Sequence, residues 1–528
     1  MENLPDWIKV ADIAEVIGKG CKVIRHNGKQ VAIFDTSRGI LACNNNCPHQ
    51  GYPLSEGCLT EEGILTCNWH NWKFDLIDGT NLKGSDSVRV YPVQIRDNEI
   101  WIDVQNPPYE EQYSKLVANL HRAILDNSYE HIARELCRLQ LLGADLSEMV
   151  TNAIEWSHDH LQYGWTHAYA GATDWLTLHD EFSDDSERQL ICLLEAIGHI
   201  ADDTLRRPKY EYCTATRSYS RDEFLNAVET EDEDVAVALI RGAIGEGMHY
   251  PDLEDAFSAA ALAHYNDFGH ALIYVAKAGQ LIERLGARVE LPLLLSLTRT
   301  LCYTTREDQI PQFRNYGPTL AKWRETSNGQ SVDWQELKGR SINQSLESVL
   351  AHSTQEAPSL FSALLKVNAD NMLHFNLDFQ ESTTNRVDDN VGWLSFTHTI
   401  TFANAAHEQC SKFPRLWPQA LLQLACFSGR NSPYVDFSES QSSWFVNDSD
   451  TFFKQKVLDL FDHGMEEFIV SVHLLKTLLA ARKECEVGDP ESRNLVSAAM
   501  NRFLASPMKR KHVLRTARQA RQMAVMDS

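Results

Sequence analysis

The sequence lacks long hydrophobic runs. No stretch of 18 or more consecutive apolar residues occurs in its 528 residues, and a helix needs about that length to cross a membrane. The first six residues, Met-Glu-Asn-Leu-Pro-Asp, also lack the basic region and the apolar core of a secretory signal peptide. We therefore expect a cytoplasmic protein that does not enter a membrane.

Positive charge is scarce as well. Lys and Arg number 49 against 73 Asp and Glu, which gives a formal net charge of −24. A protein this acidic repels phosphate backbones, so nucleic acid is excluded as a partner. The sequence also has no G-x-G-x-x-G, no P-loop, no C-x-x-C-H haem site and no G-x-S-x-G elbow, so it offers no support for hydride transfer, NTP-driven chemistry or serine hydrolysis.

The composition is that of a folded chain long enough for several compact units, with 43% hydrophobic and 23% charged residues. Up to about residue 106 the sequence reads as short strands, and Asn27-Gly28 between two β-prone runs indicates a hairpin. After Pro107-Pro108, apolar residues recur at helical spacing. The predicted fold class is multidomain α and β: an all-β domain over 1–106, then a large, mostly α-helical domain over 113–528.

Two segments of the sequence resemble each other faintly, which suggests an internal duplication near 145–290. Asp145-Leu146 followed by His158 and His167 resembles Asp252-Leu253 followed by His264 and His270. Chance similarity between two amphipathic helices explains this resemblance equally well, so both interpretations stay open.

The N-terminal domain contains a motif of two cysteines and two histidines. Cys47-Pro48-His49 and Cys67-Asn68-Trp69-His70 give C-x-H, seventeen residues, then C-x-x-H. Two thiolates and two imidazoles on two loops form the ligand set of a Rieske [2Fe–2S] cluster, with two Cys on one iron and two His on the other. A Cys₂His₂ zinc site is the alternative, but a zinc finger would keep its Cys pair and its His pair apart and continue into a helix.

The whole segment resembles the Rieske ferredoxins and the Rieske domains of oxygenases, from Cys47 to Gly57 and again from Trp72 to Asp75. High-potential members carry a disulfide between the loops and a Ser after the second His. Tyr52, Trp69 and Trp72 stand at those places here. The resemblance therefore implies a low-potential cluster on Cys47, His49, Cys67 and His70 that receives electrons from a reductase.

The helical region does not resemble the usual catalytic domain of Rieske oxygenases, an α/β fold with two closely spaced His and an Asp on iron. It has histidines on several predicted helices instead, the first of them spanning 146–176. On that helix His160 and His167, seven apart, would share a face, whereas His158 would be opposed to His167. Any one of these histidines is more often a hydrogen-bonded core residue than a ligand.

Parts of this region, over about 146–290 and 390–480, resemble the questin-oxidase-like family of non-haem oxygenases. The matching pieces are His158-Asp159-His160, Gly269 to Tyr274, Phe396 to Thr401 with Ala405-Ala406-His407, and His473 to Lys476. The resemblance implies iron held by histidines from different helices, with a carboxylated lysine proposed as a further ligand. Tyr274 stands where that family often has a second His.

We therefore expect an iron-dependent oxygenase in which the Rieske cluster feeds a non-haem iron that oxidises a small, aromatic or apolar organic substrate with O₂. Catalytic residues stay unassigned, and a homo-oligomer is possible. A ferritin-like di-metal site built on Glu155-x-x-His158 and Glu246-x-x-His249 ranks lower. The competing class is a non-catalytic redox module whose helices bind a partner protein. The expected ligands of the second metal are His160, His270, His398, His473, Lys476 and Glu155.

Overall fold

The computed structural model describes residues 5–265, 267–324, 332–506 and 512–526. The chain divides into two compact units, Met1–Leu146 and Ser147–Ser528. The first begins with an all-β domain and the second is helical, which confirms the predicted fold class. Among the described residues, no helix is both long and apolar enough to span a bilayer.

The β domain consists of three small antiparallel sheets, with strand orders β1-β11-β10, β2-β3-β4-β9 and β5-β6-β7-β8. The predicted hairpin is present, because Asn27 and Gly28 take positive φ angles of 45° and 78° between two paired strands. The strands are β1 (Trp7–Asp12), β2 (Cys21–His26), β3 (Lys29–Thr36), β4 (Gly39–Asn44), β5 (Cys58–Leu59), β6 (Ile64–Thr66), β7 (Lys73–Asp75), β8 (Asn81–Lys83), β9 (Val90–Tyr91), β10 (Val93–Arg96) and β11 (Glu99–Asp103).

Two helices, α1 (Tyr109–Leu125) and α2 (Tyr129–Leu142), complete the first unit. The α2 side chain Arg138 joins buried Asp86 of the β domain, at 2.7 Å, to buried Glu135, at 2.5 Å. Arg134 lies 4.0 Å from the same Asp86 carboxylate. The secondary structure changes where the sequence predicts. The compact unit nevertheless continues well past the predicted boundary at residue 106, because these buried charges hold α2 to the β domain.

Within its described residues the helical unit runs from α3 to α20. Four of its helices, α4, α9, α15 and α18, pack in a closed ring in which each contacts the next. The bounds are α3 (Ser147–Ser157), α4 (His167–Glu181), α5 (Ser186–Thr204), α6 (Arg221–Glu229), α7 (Glu233–Gly245), α8 (Tyr250–Ala263), α9 (His270–Leu285), α10 (Ala287–Tyr303), α11 (Tyr316–Leu320), α12 (Ile342–Ala351), α13 (Ala357–Leu373), α14 (Leu377–Glu381), α15 (Trp393–Lys412), α16 (Trp417–Asn431), α17 (Ser449–Leu460), α18 (Phe468–Val487), α19 (Pro490–Ala505) and α20 (Val513–Met526).

The first predicted helix of this unit is interrupted. Helix α3 ends at Ser157, a short 3-10 turn follows over His158–His160, and α4 begins at His167. Gly164 makes the turn between them with φ of +80°, and a Cβ there would lie 2.1 Å from the Ser296 carbonyl oxygen. His160 and His167 therefore do not share one helix face.

Candidate metal centres

The two Cys-His loops of the β domain have the same backbone design. The N–H groups of Cys47 and Cys67 donate to carbonyls five residues further along, and their own carbonyls accept from the N–H groups of Gly51 and Asn71. Gly51 and Asn71 both have positive φ, 75° and 60°, which suits the two residue types that best tolerate that conformation. Each loop thus curls around its cysteine in the same way.

These loops bring the four predicted ligands together. The Nδ1 atoms of His49 and His70 lie 3.1 Å apart, and both cysteines are buried. Burial raises the pKa of the Cys47 thiol to about 11, so the thiolate needs a nearby positive charge to form. Bound iron supplies such a charge. The donor set and its spacing fit a cluster with sulfur ligands on one side and imidazoles on the other.

Aromatic rings cover the imidazoles. Trp72 stacks on His49 at a centroid distance of 4.6 Å, and Trp69 stacks on His70 at 5.0 Å. Trp69 is 57% exposed and lies 5.7 Å from the Tyr52 ring. The histidine side of the motif therefore lies under a thin aromatic layer at the surface of the β domain.

A second cluster lies inside the ring of helices α4, α9, α15 and α18, and each helix contributes one histidine. The Nε2 atoms of His167 and His270 lie 3.2 Å apart. Those of His398 and His473 are separated by the same distance. Ring centroids of His270 and His398 are 4.4 Å apart, and those of His167 and His473 are 4.7 Å apart. The four imidazoles thus face one another.

Local sequence positions each pair. His167 and His270 are the first residues of their helices, whereas His398 and His473 each occupy the sixth position of a 20-residue helix. The His473 Nδ1 atom bonds the carbonyl of Ile469, four residues earlier. Because Nδ1 of His473 is held by this carbonyl, its other ring nitrogen, Nε2, is directed at the cluster. Metal-binding histidines are commonly oriented in this way.

The electrostatics of the cluster favour neutral imidazoles. Burial lowers the pKa of His167, His398 and His473 well below the ordinary value, and the cation of nearby Lys476 lowers it further. Lys476 itself is 3% exposed. A metal binds the neutral form of imidazole, so this environment holds the histidines in the form that a metal requires.

Tyr274 also lies against this cluster. Its hydroxyl oxygen is 3.5 Å from Nδ1 of His167, and its ring stacks on that of His270 at 5.5 Å. The position where the resembled family often has a histidine thus places a phenol beside the ligand pair.

Two of the residues expected from the sequence lie elsewhere. His160 contacts the Arg207 carbonyl through Nδ1 at 2.9 Å. The carboxylate of Glu155 pairs with Arg288 of α10 at 2.5 Å. The structure therefore brings together His270, His398, His473 and Lys476 of the expected set, without His160 and Glu155.

The sequence predicts a helix that carries both His160 and His167, and the expected ligand set includes His160 but not His167. The signal that distinguishes the two is the helix start, because Thr166 caps α4 by accepting a hydrogen bond from the Ala168 N–H. With Gly164 just before it, Thr166 places His167 at a new helix N-terminus. The ferritin-like alternative is not supported, since His158 bonds the backbone of Glu155 and exposed His249 bonds Glu290.

Comparison with known proteins identifies the β domain. Residues 6–92 match the Rieske [2Fe-2S] domain family, so the chain carries a Rieske domain. A 4beta-methylsterol monooxygenase of Methylococcus capsulatus is 34% identical over 113 residues, which are 19% of this chain and 30% of that protein. The ferredoxin component of the alkene monooxygenase system of Xanthobacter autotrophicus is 28% identical over 105 residues, covering 20% of this chain and 78% of the ferredoxin.

Solved structures match over a similar share of the chain. The ferredoxin of carbazole 1,9a-dioxygenase from Nocardioides aromaticivorans is 24% identical over 19% of this chain and 98% of its own, with a TM-score of 0.18. Dicamba monooxygenase is 27% identical over 20% of this chain and 33% of its own, with a TM-score of 0.18. The chain thus spans about a third or less of the two monooxygenases that it matches.

Proposed function

We propose that the protein is an oxygenase in which a Rieske cluster supplies electrons to a non-haem iron in the helical unit. The observation that carries the proposal is the meeting of four facing imidazoles, one from each of four packed helices, in a chain that also has a Rieske domain. Imidazole ligands suit iron among several transition metals. An electron donor within the same chain favours iron over a redox-inactive ion such as zinc.

In this proposal Cys47, His49, Cys67 and His70 hold the Rieske cluster, and His167, His270, His398 and His473 hold the iron. Compared with the set expected from the sequence, His167 replaces His160, and Glu155 is left out because Arg288 engages its carboxylate. When bound, the iron would supply the O₂ chemistry that organic side chains lack. The substrate is a small organic molecule, and a separate reductase provides the electrons.

Lys476 lies one helical turn from His473 and is buried on the same helix. An uncharged, all-imidazole set would leave the iron charge uncompensated in a low-dielectric interior. A carboxylated Lys476, as the resembled family suggests, would add an anionic oxygen there. The lysine therefore belongs to the proposed site as a fifth donor or as a group beside it.

Counting irons per chain tests the proposal. Purified protein should contain three irons and two acid-labile sulfides, and reduction should produce the Rieske electron paramagnetic resonance signal. Two variants, each of which disrupts one of the two metal sites, distinguish the Rieske cluster from the proposed helical iron. Cys67→Ser should lose the Rieske signal while one iron remains, and His473→Gln should retain the Rieske signal and two irons.

A wild-type chain with two irons, both accounted for by sulfide, would refute the oxygenase proposal. It would favour the non-catalytic alternative, in which a Rieske electron carrier is joined to helices that bind a partner protein. In that case His473→Gln would alter stability without changing the iron content.

A further inference from the structure

A polar groove on the helical unit lies next to a small cavity that reaches Lys476, a neighbour of the histidine cluster. It has a volume of about 640 Å³ and is lined mainly by charged side chains, among them Asp180, Arg284 and Lys483. Beneath it lies an inner cavity of about 10 Å³ that reaches Lys476. Both spaces share the lining residues Asp174, Lys277, Gln280, Asn404, Glu408 and Ala480.

Asp174 connects the two spaces. It is 2% exposed, and its Oδ1 accepts a hydrogen bond from Lys277 Nζ at 2.6 Å. Its other oxygen, Oδ2, is buried and has no hydrogen-bond partner among the described residues. A buried carboxylate oxygen without a partner is costly, so its position beside a small cavity with several polar side chains in its lining needs an explanation.

The inner cavity has the size and polarity to hold one water molecule. A single water needs about 10–15 Å³ and two to four polar partners. Asp174 and Lys476 both line the cavity, together with Thr401 and Asn404. One water there would satisfy Asp174 and link it to the Lys476 side of the cluster.

Asp174 and Lys277 lie on the same two helices as His167 and His270, at matching positions further along each helix. Asp174 lies seven residues after His167 on α4, and Lys277 lies seven residues after His270 on α9. Seven residues are two helical turns, so each charged residue lies on the same face as its histidine, about 10 Å further along the helix. The pair therefore lies between the groove and the cluster.

We propose that Asp174 is the proton-relay residue of the histidine cluster, with Lys277 as its donor at the groove. This proposal rests on the proposed oxygenase function. A proton passes from Lys277 Nζ to the Asp174 carboxylate. The carboxyl group then rotates and gives its proton to the inner water, which passes one of its own protons on to the reduced oxygen and so remains a neutral water. Lys277, which is 17% exposed, takes up its replacement from groove water.

The relay supplies the protons that O₂ reduction consumes. In the absence of organic substrate, O₂ takes one electron from the reduced Rieske cluster, one from ferrous iron, and two protons, giving hydrogen peroxide. The electron sources lie within the holoprotein, and the protons come from solvent. Blocking the relay should therefore slow reoxidation by O₂ without removing iron.

The experiment mixes dithionite-reduced, full-length protein with O₂ in H₂O and in D₂O and follows reoxidation by absorbance. His473→Gln, which should lack the third iron, gives the background rate. Asp174→Asn should retain three irons but reoxidise roughly 10²-fold more slowly, with a larger solvent isotope effect. Asp174→Glu should recover most of the rate. Asp180→Asn, a change on the same helix at the groove mouth, should stay within about twofold of wild type.

A merely structural ion pair gives a different pattern. Asp174→Asn combined with Lys277→Met removes both charges, so a purely structural role predicts recovery of the wild-type rate in this double variant. That recovery would overturn the relay, as would an unchanged rate in Asp174→Asn with full iron. Absence of a third iron from wild-type protein would instead show that the proposed function is the part that fails.

Discussion

His167 and His270 lie 103 residues apart in sequence, yet their Nε2 atoms are 3.2 Å apart. Each is the first residue of its helix. The contact joins the two segments whose sequences resemble each other. The two histidines therefore occupy equivalent places, each at the start of its helix. Duplication of this segment stays a prediction, and the contact gives it a structural counterpart.

His167 should matter for iron binding where His160 does not. His167→Gln removes one of four facing imidazoles, so we expect loss of the third iron with the Rieske signal retained. His160→Gln changes the residue that sequence reasoning preferred, and its ring contacts the Arg207 carbonyl outside the cluster. Iron analysis of both variants checks the assignment. Equal iron content in the two would show that His167 is not a ligand.

Gly164 should be intolerant of any side chain. Gly164→Ala combines a left-handed backbone, which costs about 1–2 kcal/mol outside glycine, with a Cβ placed 2.1 Å from the Ser296 carbonyl. We expect a lower unfolding temperature and weaker iron binding, because this turn positions the start of α4.

Gly247→Ala is the matched control, since Gly247 has φ of +85° and no neighbouring atom within 4 Å of its added Cβ. It should show the backbone cost alone and leave iron binding intact. If the two variants were equally stable, the close approach at Gly164 would have no energetic effect.

The contribution of α2 to the first unit can be measured on fragments. A fragment of residues 1–146 keeps Arg138 beside Asp86 and Glu135, whereas residues 1–106 lack the cations that pair with Asp86. We expect the longer fragment to retain its iron–sulfur cluster to a higher temperature. The loss of visible absorbance on heating measures this temperature. Arg138→Gln should destabilise the longer fragment by roughly 1–3 kcal/mol, less than for a fully buried pair because Arg138 is partly exposed.

A matched substitution at Lys9, whose partners Asp12 and Glu99 lie at the surface, should leave this temperature unchanged. Equal stability of the two fragments would show that α1 and α2 do not stabilise the β domain.

His264 should make the stability of the helical unit depend on pH. Burial lowers its pKa, but hydrogen bonds to Glu307 and Glu229, 2.9 and 2.8 Å away, outweigh burial and raise the pKa above 6.5. A raised pKa means that the folded state binds the proton more tightly. The stabilisation that the protonated His264 gives to the folded state is therefore complete below about pH 6.5. It is lost as the pH rises through the folded-state pKa of His264.

Unfolding temperatures of wild type and His264→Gln, measured from about pH 5.5 to 8.5, test this sign. The difference between them should be largest at the acid end and shrink as the pH rises. Glu229→Gln removes one of the two carboxylates and should weaken the pH dependence. A difference that grows with pH would contradict the assignment.

The Rieske domain could be predicted almost entirely from the sequence because its information is local. Asn27-Gly28 specifies its turn, and Gly51 provides the positive φ that curls the first cluster loop. The end of the strands at Asp103 and the start of α1 at Tyr109 also follow from Pro107-Pro108. Each signal acts within a few residues of the structure that it determines.

The second site could be predicted only in part. His270, His398 and His473 were expected because of a family resemblance, and the structure brings them together. His160 belongs to the expected set through the resembled piece His158-Asp159-His160, whereas the structure brings His167 to the cluster because a new helix begins there. Gly164 and Thr166 are local signals of a helix break, but the close approach of the Ser296 carbonyl, 132 residues away, which requires glycine at this turn, is not contained in any local pattern.

The arrangement of the four helices would set an order in which the protein acquires the Rieske cluster and the proposed iron. The Rieske loops are complete once residue 72 has been made, whereas the proposed iron site needs α18 and therefore His473. During synthesis the N-terminal unit can mature while most of the helical chain is still absent. Under the proposed function, iron can enter the helical site only after α4, α9, α15 and α18 have all been made and packed together, so occupancy of that site would report assembly of these four helices.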